Sequence, residues 1–184
     1  GLRAAWLFPP RAGRGAVGRA LRSREMAAGG YESPAGNQDL RAAIARHIGI
    51  SRSVAGSPDD VMVTNGTQQA LDIIARVLLD PGDAIAMEDP GYSPPRDLFK
   101  ALGARVIGVP VDSEGLVVEA LPARARAAYV TPSQQYPLGV AMSLSRRRAL
   151  LAWAERNNAV IIEDDYDSEF RFGGRPLDPL QTLD

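Results

Sequence analysis

Glu163-Asp164-Asp165-Tyr166-Asp167 sets four carboxylates in five positions, directly after the apolar run Val160-Ile161-Ile162. Such a cluster has two ordinary chemical uses: its oxygens can bind a hard divalent cation, or one ionised carboxylate can face a basic ring nitrogen and keep it protonated. Asn65-Gly66-Thr67-Gln68-Gln69 offers different chemistry. Glycine lets backbone approach a ligand, and a helix starting there presents free N–H groups and a partial positive charge. Thr67 adds a hydroxyl, so the stretch suits an anion, although Gly and Thr also simply begin helices. It matches neither the P-loop nor the dinucleotide-binding glycine pattern. Tyr92 ends Asp89-Pro90-Gly91-Tyr92, where Pro90 and Gly91 suit the centre of a type II turn. It is a packing tyrosine or an aromatic face for a planar ligand. A polar loop, Ser133 to Gly139, completes the set.

Each of these stretches follows an apolar run. Asp59–Thr64, Ala84–Glu88, Ala104–Val109, Ala127–Thr131 and the run at Ala159 read as strands. Between them fall helical patterns. Asn37 caps one that carries Leu40, Ala43, Ile44, His47 and Ile48; a second runs from Ala70 to Leu78. Pro94 and Pro95 open a third, a short one covers Val118–Leu121, and Ser143 or Ser145 caps a long one through Trp153. Arg146-Arg147-Arg148 at its start reads as a solvated helix face, and His47, the only histidine, as a boundary residue. Alternating strands and helices predict an α/β three-layer sandwich with a mostly parallel sheet. Such sheets place ligands beyond the carboxyl ends of their strands, where the four polar stretches lie. Residues 1–30 read as an N-terminal arm or linker, extended around Trp6–Pro10 and helical from Val17 to Ala28; residues 31–184 read as the domain.

An anion cradle at Gly66-Thr67-Gln68, an aromatic face at Tyr92, the polar loop Ser133–Gly139 and a carboxylate from Glu163-Asp164-Asp165-Tyr166 together describe a site for a flat, phosphorylated, protonatable ring. Pyridoxal 5'-phosphate has that chemistry, its protonated ring accepting carbanion electrons. At this point the sequence resembles the fold type I aminotransferases, and most closely the aminotransferase-like domain of MocR/GntR-type transcriptional regulators. The matching segments are Tyr31-Glu-Ser-Pro-Ala-Gly36 with Leu40-Arg41, Asn65-Gly-Thr-Gln-Gln-Ala-Leu71, Asp80-Pro-Gly-Asp83, Glu88-Asp-Pro-Gly-Tyr92, Thr131-Pro-Ser-Gln-Gln-Tyr-Pro-Leu-Gly139 and Glu163-Asp-Asp-Tyr-Asp-Ser-Glu-Phe170. The resemblance implies that Gly66, Thr67 and Gln68 hold the phosphate and that Tyr92 stacks on the ring. It further implies Asp164 on the pyridine nitrogen, Tyr166 near the ring hydroxyl, and Tyr31 on the neighbouring subunit's phosphate in a homodimer. Where aminotransferases carry Asn before the Pro-x-Gly of the 131–139 loop, this chain has Tyr136. The implied ligand is an amino acid or amine. The Schiff-base lysine is expected downstream and a winged-helix DNA reader upstream, so the chain is expected to hold a partial large domain with no catalytic residue of its own.

Composition sets limits. A formal net charge of −1 gives no overall field for nucleic acid, and zero cysteines exclude disulfides and thiolate metal sites. No apolar run reaches membrane-spanning length, and a cytoplasmic protein is expected. Lys100, the single lysine, lies eight residues past Tyr92 beside Arg96 and Asp97 and reads as a surface group. Three other readings remain open: a true aminotransferase of the 2-aminoadipate kind, a Mg²⁺-dependent phosphotransfer or nucleotide-binding domain using Asp164, Asp165 and Asp167, and a structural domain without cofactor.

Overall fold

A computed structural model describes residues 9–22, 31, 33–166 and 177–183. The chain divides into two compact units, residues 1–34 and 35–184. In the first, helix α1 spans Pro10–Ala20, earlier than the expected Val17 start, because Pro10 fits the first helical turn, where its missing N–H costs nothing. The expected extended arm at Trp6 and the end of the expected helix, residues 23–28, lie outside the described residues.

The second unit is built on a five-stranded sheet: β1 (Ala84–Asp89), β2 (Arg105–Asp112), β3 (Gly115–Leu116), β4 (Ala127–Val130) and β5 (Val160–Glu163), in the order β3-β2-β1-β4-β5. β1 pairs in parallel with both β2 and β4, β4 pairs in parallel with β5, and only the short β3 runs antiparallel, against β2. Helices α2 (Gln38–Arg52), α3 (Thr67–Leu78), α4 (Ser93–Ala101) and α5 (Leu144–Asn157) complete the unit. Strand alternation feeds two cores. Ala84, Ala86, Ala128 and Val130 face α5 through Leu150, Trp153 and Ala154. Ile85, Met87, Ala127, Tyr129 and Ile162 face the other way, toward Leu71 and Ala75 of α3 and Phe99 of α4. The expected three layers with a mostly parallel sheet are therefore observed.

Local chemistry sets the helix starts. Asn37 Oδ1 accepts from the Leu40 N–H at 3.0 Å, and the Ser143 hydroxyl accepts from the Arg146 N–H at 3.2 Å. Pro94 and Pro95 occupy the first turn of α4. Three expectations need correction. Residues 58–60 form a 3-10 turn and 61–64 run extended without joining the sheet, although Val63 N–H donates to Ala35 O. A strand needs a neighbour for its ladder, and no described strand flanks this one; Met62 and Val63 are exposed as a result. The short helix near Val118 is a 3-10 turn of three residues, Val118–Ala120. Gly91 lacks the positive φ that the third residue of a type II turn requires, so the turn before Tyr92 is not type II.

The triple arginine is not a solvated face either. Arg147 is buried at 3% exposure and donates to the carbonyls of Met142, Pro132 and Asp178. Arg146 donates to Leu116 O and pairs with Asp112 and Glu114, leaving Arg148 exposed. No helix among the described residues is long and apolar enough to cross a membrane. Arg147→Ala should cost about 2–4 kcal/mol of stability by leaving buried carbonyls unpaired, while Arg148→Ala stays within about 0.5 kcal/mol. Urea unfolding of both variants checks this, and equal effects would return the run to a common solvated face.

Candidate functional site

β1, β4 and β5 are neighbours that run the same way, so the segments after Asp89, Val130 and Glu163 emerge at one edge of the sheet. At that edge Glu88 is a carboxylate with 2% exposure. Burial pushes its pKa up, and hydrogen bonds from the Thr131 hydroxyl and N–H and from Gln135 pull it back. The Thr131 Oγ1–Oε2 distance is 2.6 Å and the Thr131 N–Oε1 distance 3.2 Å. Gln135 Nε2 lies 3.3 Å from Oε2 and also donates to Pro90 O at 2.8 Å and Tyr136 O at 2.6 Å. One buried amide thus ties the turn after β1 to the loop after β4.

That tie brings two aromatic rings together. Tyr92 and Tyr136 meet edge to face with centroids 5.5 Å apart. The turn that delivers Tyr92 requires glycine, since a Cβ on Gly91 would collide with the Glu88 carbonyl oxygen. Arg96 donates back to Glu88 O at 3.1 Å, fixing the start of α4 over the same turn.

The acidic stretch after β5 splits across the sheet. Asp164 falls on the Ile162 side and accepts from the Tyr129 hydroxyl at 2.6 Å through Oδ2. Asp165 falls on the other side and forms a 2.5 Å ion pair with Arg52, which is itself 7% exposed. Glu163 accepts from the Leu180 N–H at 2.9 Å. Burial raises the pKa of both Glu163 and Asp164; the Tyr129 hydrogen bond lowers that of Asp164 in part. Asp164 and Asp165 therefore do not converge on one cation, and Asp167 lies outside the described residues.

Gly66 is the N-cap of α3, at φ +90°, with no side chain capping the helix and open space within 4 Å of a built Cβ. The first-turn N–H groups, from Thr67 to Gln69, have no intrahelical acceptors. At the other end, Leu78 O accepts from Arg126, just before β4 begins, so α3 points its N-terminus toward the carboxyl edge. Its Leu71 packs with Tyr129 and Ile162, on the sheet face that carries Asp164.

The expected residues thus fall as follows. Tyr92 packs against the cluster containing Tyr129, whose hydroxyl holds Asp164. Gly66, Thr67 and Gln68 form the exposed N-terminus of α3 on that face. Tyr166 is exposed and donates to Gln134 O at 3.0 Å, which places it over the 131–139 loop. Tyr31 belongs to the first unit and is exposed. Sequence reasoning passed over Glu88, Tyr129 and Gln135. The available signal for Tyr129 was period two: it stands on the same face of β4 as Ala127, one strand away from Ile162 and Asp164.

The chain matches the family of class I and II aminotransferases over residues 14–182. It is 46% identical over 157 residues to the probable rhizopine catabolism regulatory protein MocR of Rhizobium meliloti, covering 84% of this chain and 32% of that protein. It is 35% identical over 188 residues to the 2-aminoadipate transaminase of Thermus thermophilus, covering 100% of this chain and 46% of the relative. Among solved structures, LysN, the α-aminoadipate aminotransferase of Thermus thermophilus complexed with N-(5'-phosphopyridoxyl)-L-leucine, superposes with a TM-score of 0.87 at 35% identity, over 100% of this chain and 47% of that one. The chain thus spans about a third to a half of these relatives.

Glu88, Glu163 and Asp164 all bind a proton more tightly folded than unfolded. Their contribution to stability is full below the ordinary carboxylate range and is lost as pH rises through the raised values. Glu88→Gln removes one of these losses. Its stability relative to the unaltered chain should improve between about pH 5 and about pH 8, read by urea unfolding at both. A difference that is constant or grows worse with pH would mean Glu88 is ionised without penalty.

Proposed function

The chain belongs to the class I and II aminotransferases, and from that membership we propose that it is the pyridoxal 5'-phosphate-holding part of a MocR/GntR-type transcriptional regulator. The observation that carries the reading is one sheet face that offers both a carboxylate and an uncapped helix N-terminus. Asp164 has one oxygen committed to Tyr129, and no described residue donates to Oδ1. α3 brings unpartnered first-turn N–H groups behind a glycine whose Cβ position is open. A cationic ring edge and a dianionic phosphate fit these two features.

In this reading Gly66, Thr67 and Gln68 hold the phosphate, Tyr92 covers one face of the ring, and Asp164 accepts from the protonated ring nitrogen. Tyr166 reaches the ring hydroxyl, and Tyr31 reaches the phosphate of a second subunit in a homodimer. When bound, the cofactor supplies a ring that accepts electrons. The chain's own residues bind it, orient it and keep the nitrogen protonated. An amino acid or amine is the ligand sensed, and DNA is read through a separate domain of a cytoplasmic protein. Tyr136, where aminotransferases carry Asn, supports the regulator over a working enzyme. The second reading, a 2-aminoadipate-type aminotransferase, draws support from the match to such an enzyme over 100% of this chain and 46% of the enzyme. Transaminase assays and operator binding by the protein that carries this chain separate the two.

Asp164→Ala should weaken pyridoxal 5'-phosphate binding about 10- to 100-fold, the range for a charge-assisted hydrogen bond. Asp165→Ala should instead lower stability, because it strands the buried Arg52. Absorbance titration and unfolding of both variants check this, and equal loss of binding would remove Asp164 from its role. Lys100 is exposed in the last turn of α4, whose N-terminus rather than its C-terminus meets the site. Borohydride reduction of the 184-residue chain with pyridoxal 5'-phosphate should therefore leave no stoichiometric adduct on Lys100 in a peptide mass map. A stoichiometric adduct would make Lys100 part of the site.

A further inference from the structure

Tyr129 is 1% exposed, so its hydroxyl must find a partner inside the protein or forfeit one. The ring is wedged by Phe99, with centroids 6.3 Å apart and an interplanar angle of 67°, which leaves the hydroxyl little freedom. Its partner is Asp164 Oδ2 at 2.6 Å, the short distance of a hydroxyl donating to a carboxylate. β4 and β5 fix this geometry: Tyr129 pairs with Ile162, and Asp164 lies two residues further on the same face. We propose that Tyr129 is the positioning residue for the ring-nitrogen carboxylate, occupying Asp164 Oδ2 so that Oδ1 is the oxygen turned to the cofactor. The inference rests on the reading of Asp164 given above and extends it to a residue that does not itself touch the ring.

Two consequences follow from the chemistry. Only an ionised carboxylate holds a proton on a pyridine nitrogen, and burial works against ionisation of Asp164. The Tyr129 hydrogen bond opposes that effect. The phenol itself, pushed well up by burial and by Asp164, remains a donor throughout the physiological range. Tyr129 thus sets both which oxygen points at the ring and how far Asp164 stays charged.

The test is made in the protein that carries this chain, with ¹³C-labelled aspartate and tyrosine and with ¹⁵N-labelled pyridoxal 5'-phosphate as the probe. Without cofactor, the Tyr129 Cζ and Asp164 Cγ resonances of the unaltered protein should titrate with one shared midpoint. Tyr129→Phe should lower the acid dissociation constant of Asp164 about tenfold. With cofactor bound, it should move the ring ¹⁵N resonance toward the unprotonated position while phosphate binding persists. Phe99→Leu, which loosens the same packing and keeps the hydroxyl, should reduce stability without moving either midpoint. Separate midpoints in the unaltered protein, or an unchanged Asp164 midpoint and ring signal in Tyr129→Phe, overturn the proposal. If Tyr129→Phe has no effect but Asp164→Ala abolishes the protonated ring signal, Tyr129 falls and the Asp164 reading stands. If Asp164→Ala leaves that signal intact, both fall.

Discussion

A carboxylate shut inside a protein must have its oxygens satisfied, and Glu88 meets that demand with groups drawn from a different strand. Thr131 and Gln135 stand more than forty positions along the chain, just past the end of β4. Because they must reach Glu88, the turn after β1 and the loop after β4 are held to one another. Tyr92 and Tyr136 meet as a result. An apolar residue at position 88 could fill the same volume, but it would give the loop no reason to fold back. The polar network here serves geometry before it serves stability, in line with the modest net worth of buried charges.

The second constraint is the pleat. Two acids adjacent in sequence leave β5 on opposite sides of the sheet. Asp164 enters the face lined by Tyr129 and α3, and Asp165 turns to Arg52 at the end of α2. One belongs to the site and its neighbour holds the scaffold that carries the site. Arg147 does comparable work beneath the 131–139 loop, through three backbone carbonyls rather than a carboxylate.

Periodicity made most of this legible in advance. The parallel strands, the caps at Asn37 and Ser143 and the polar strand ends follow from apolar spacing and side-chain chemistry that act over a few residues. What the sequence hid depends on partners far away. Val61 to Thr64 has the composition of a strand, yet composition cannot supply a neighbour to pair with. Arg146 to Arg148 look alike in sequence and have three different surroundings, because consecutive positions on a helix point about 100° apart and so meet different neighbours. Glu88 and Tyr129 look like an edge charge and a core aromatic until the register between β1, β4 and β5 is known.

The strand order also gives the protein a timetable during synthesis. β1 and β2 come from one continuous stretch with α4 between them, whereas β4 and β5 add later to the other side of β1. Chains leave the ribosome at about 5–20 residues per second, so Tyr92 precedes Asp164, roughly seventy residues behind it, by about 4–14 s. For the first part of that interval, until Thr131 and Gln135 emerge roughly forty residues behind Tyr92, Glu88 has none of its later donors and stays in water. The nascent βαβ unit therefore carries a hydrated carboxyl group where the finished sheet has a sealed one. The rim closes only when Thr131 and Gln135 have emerged, and Asp164 follows them.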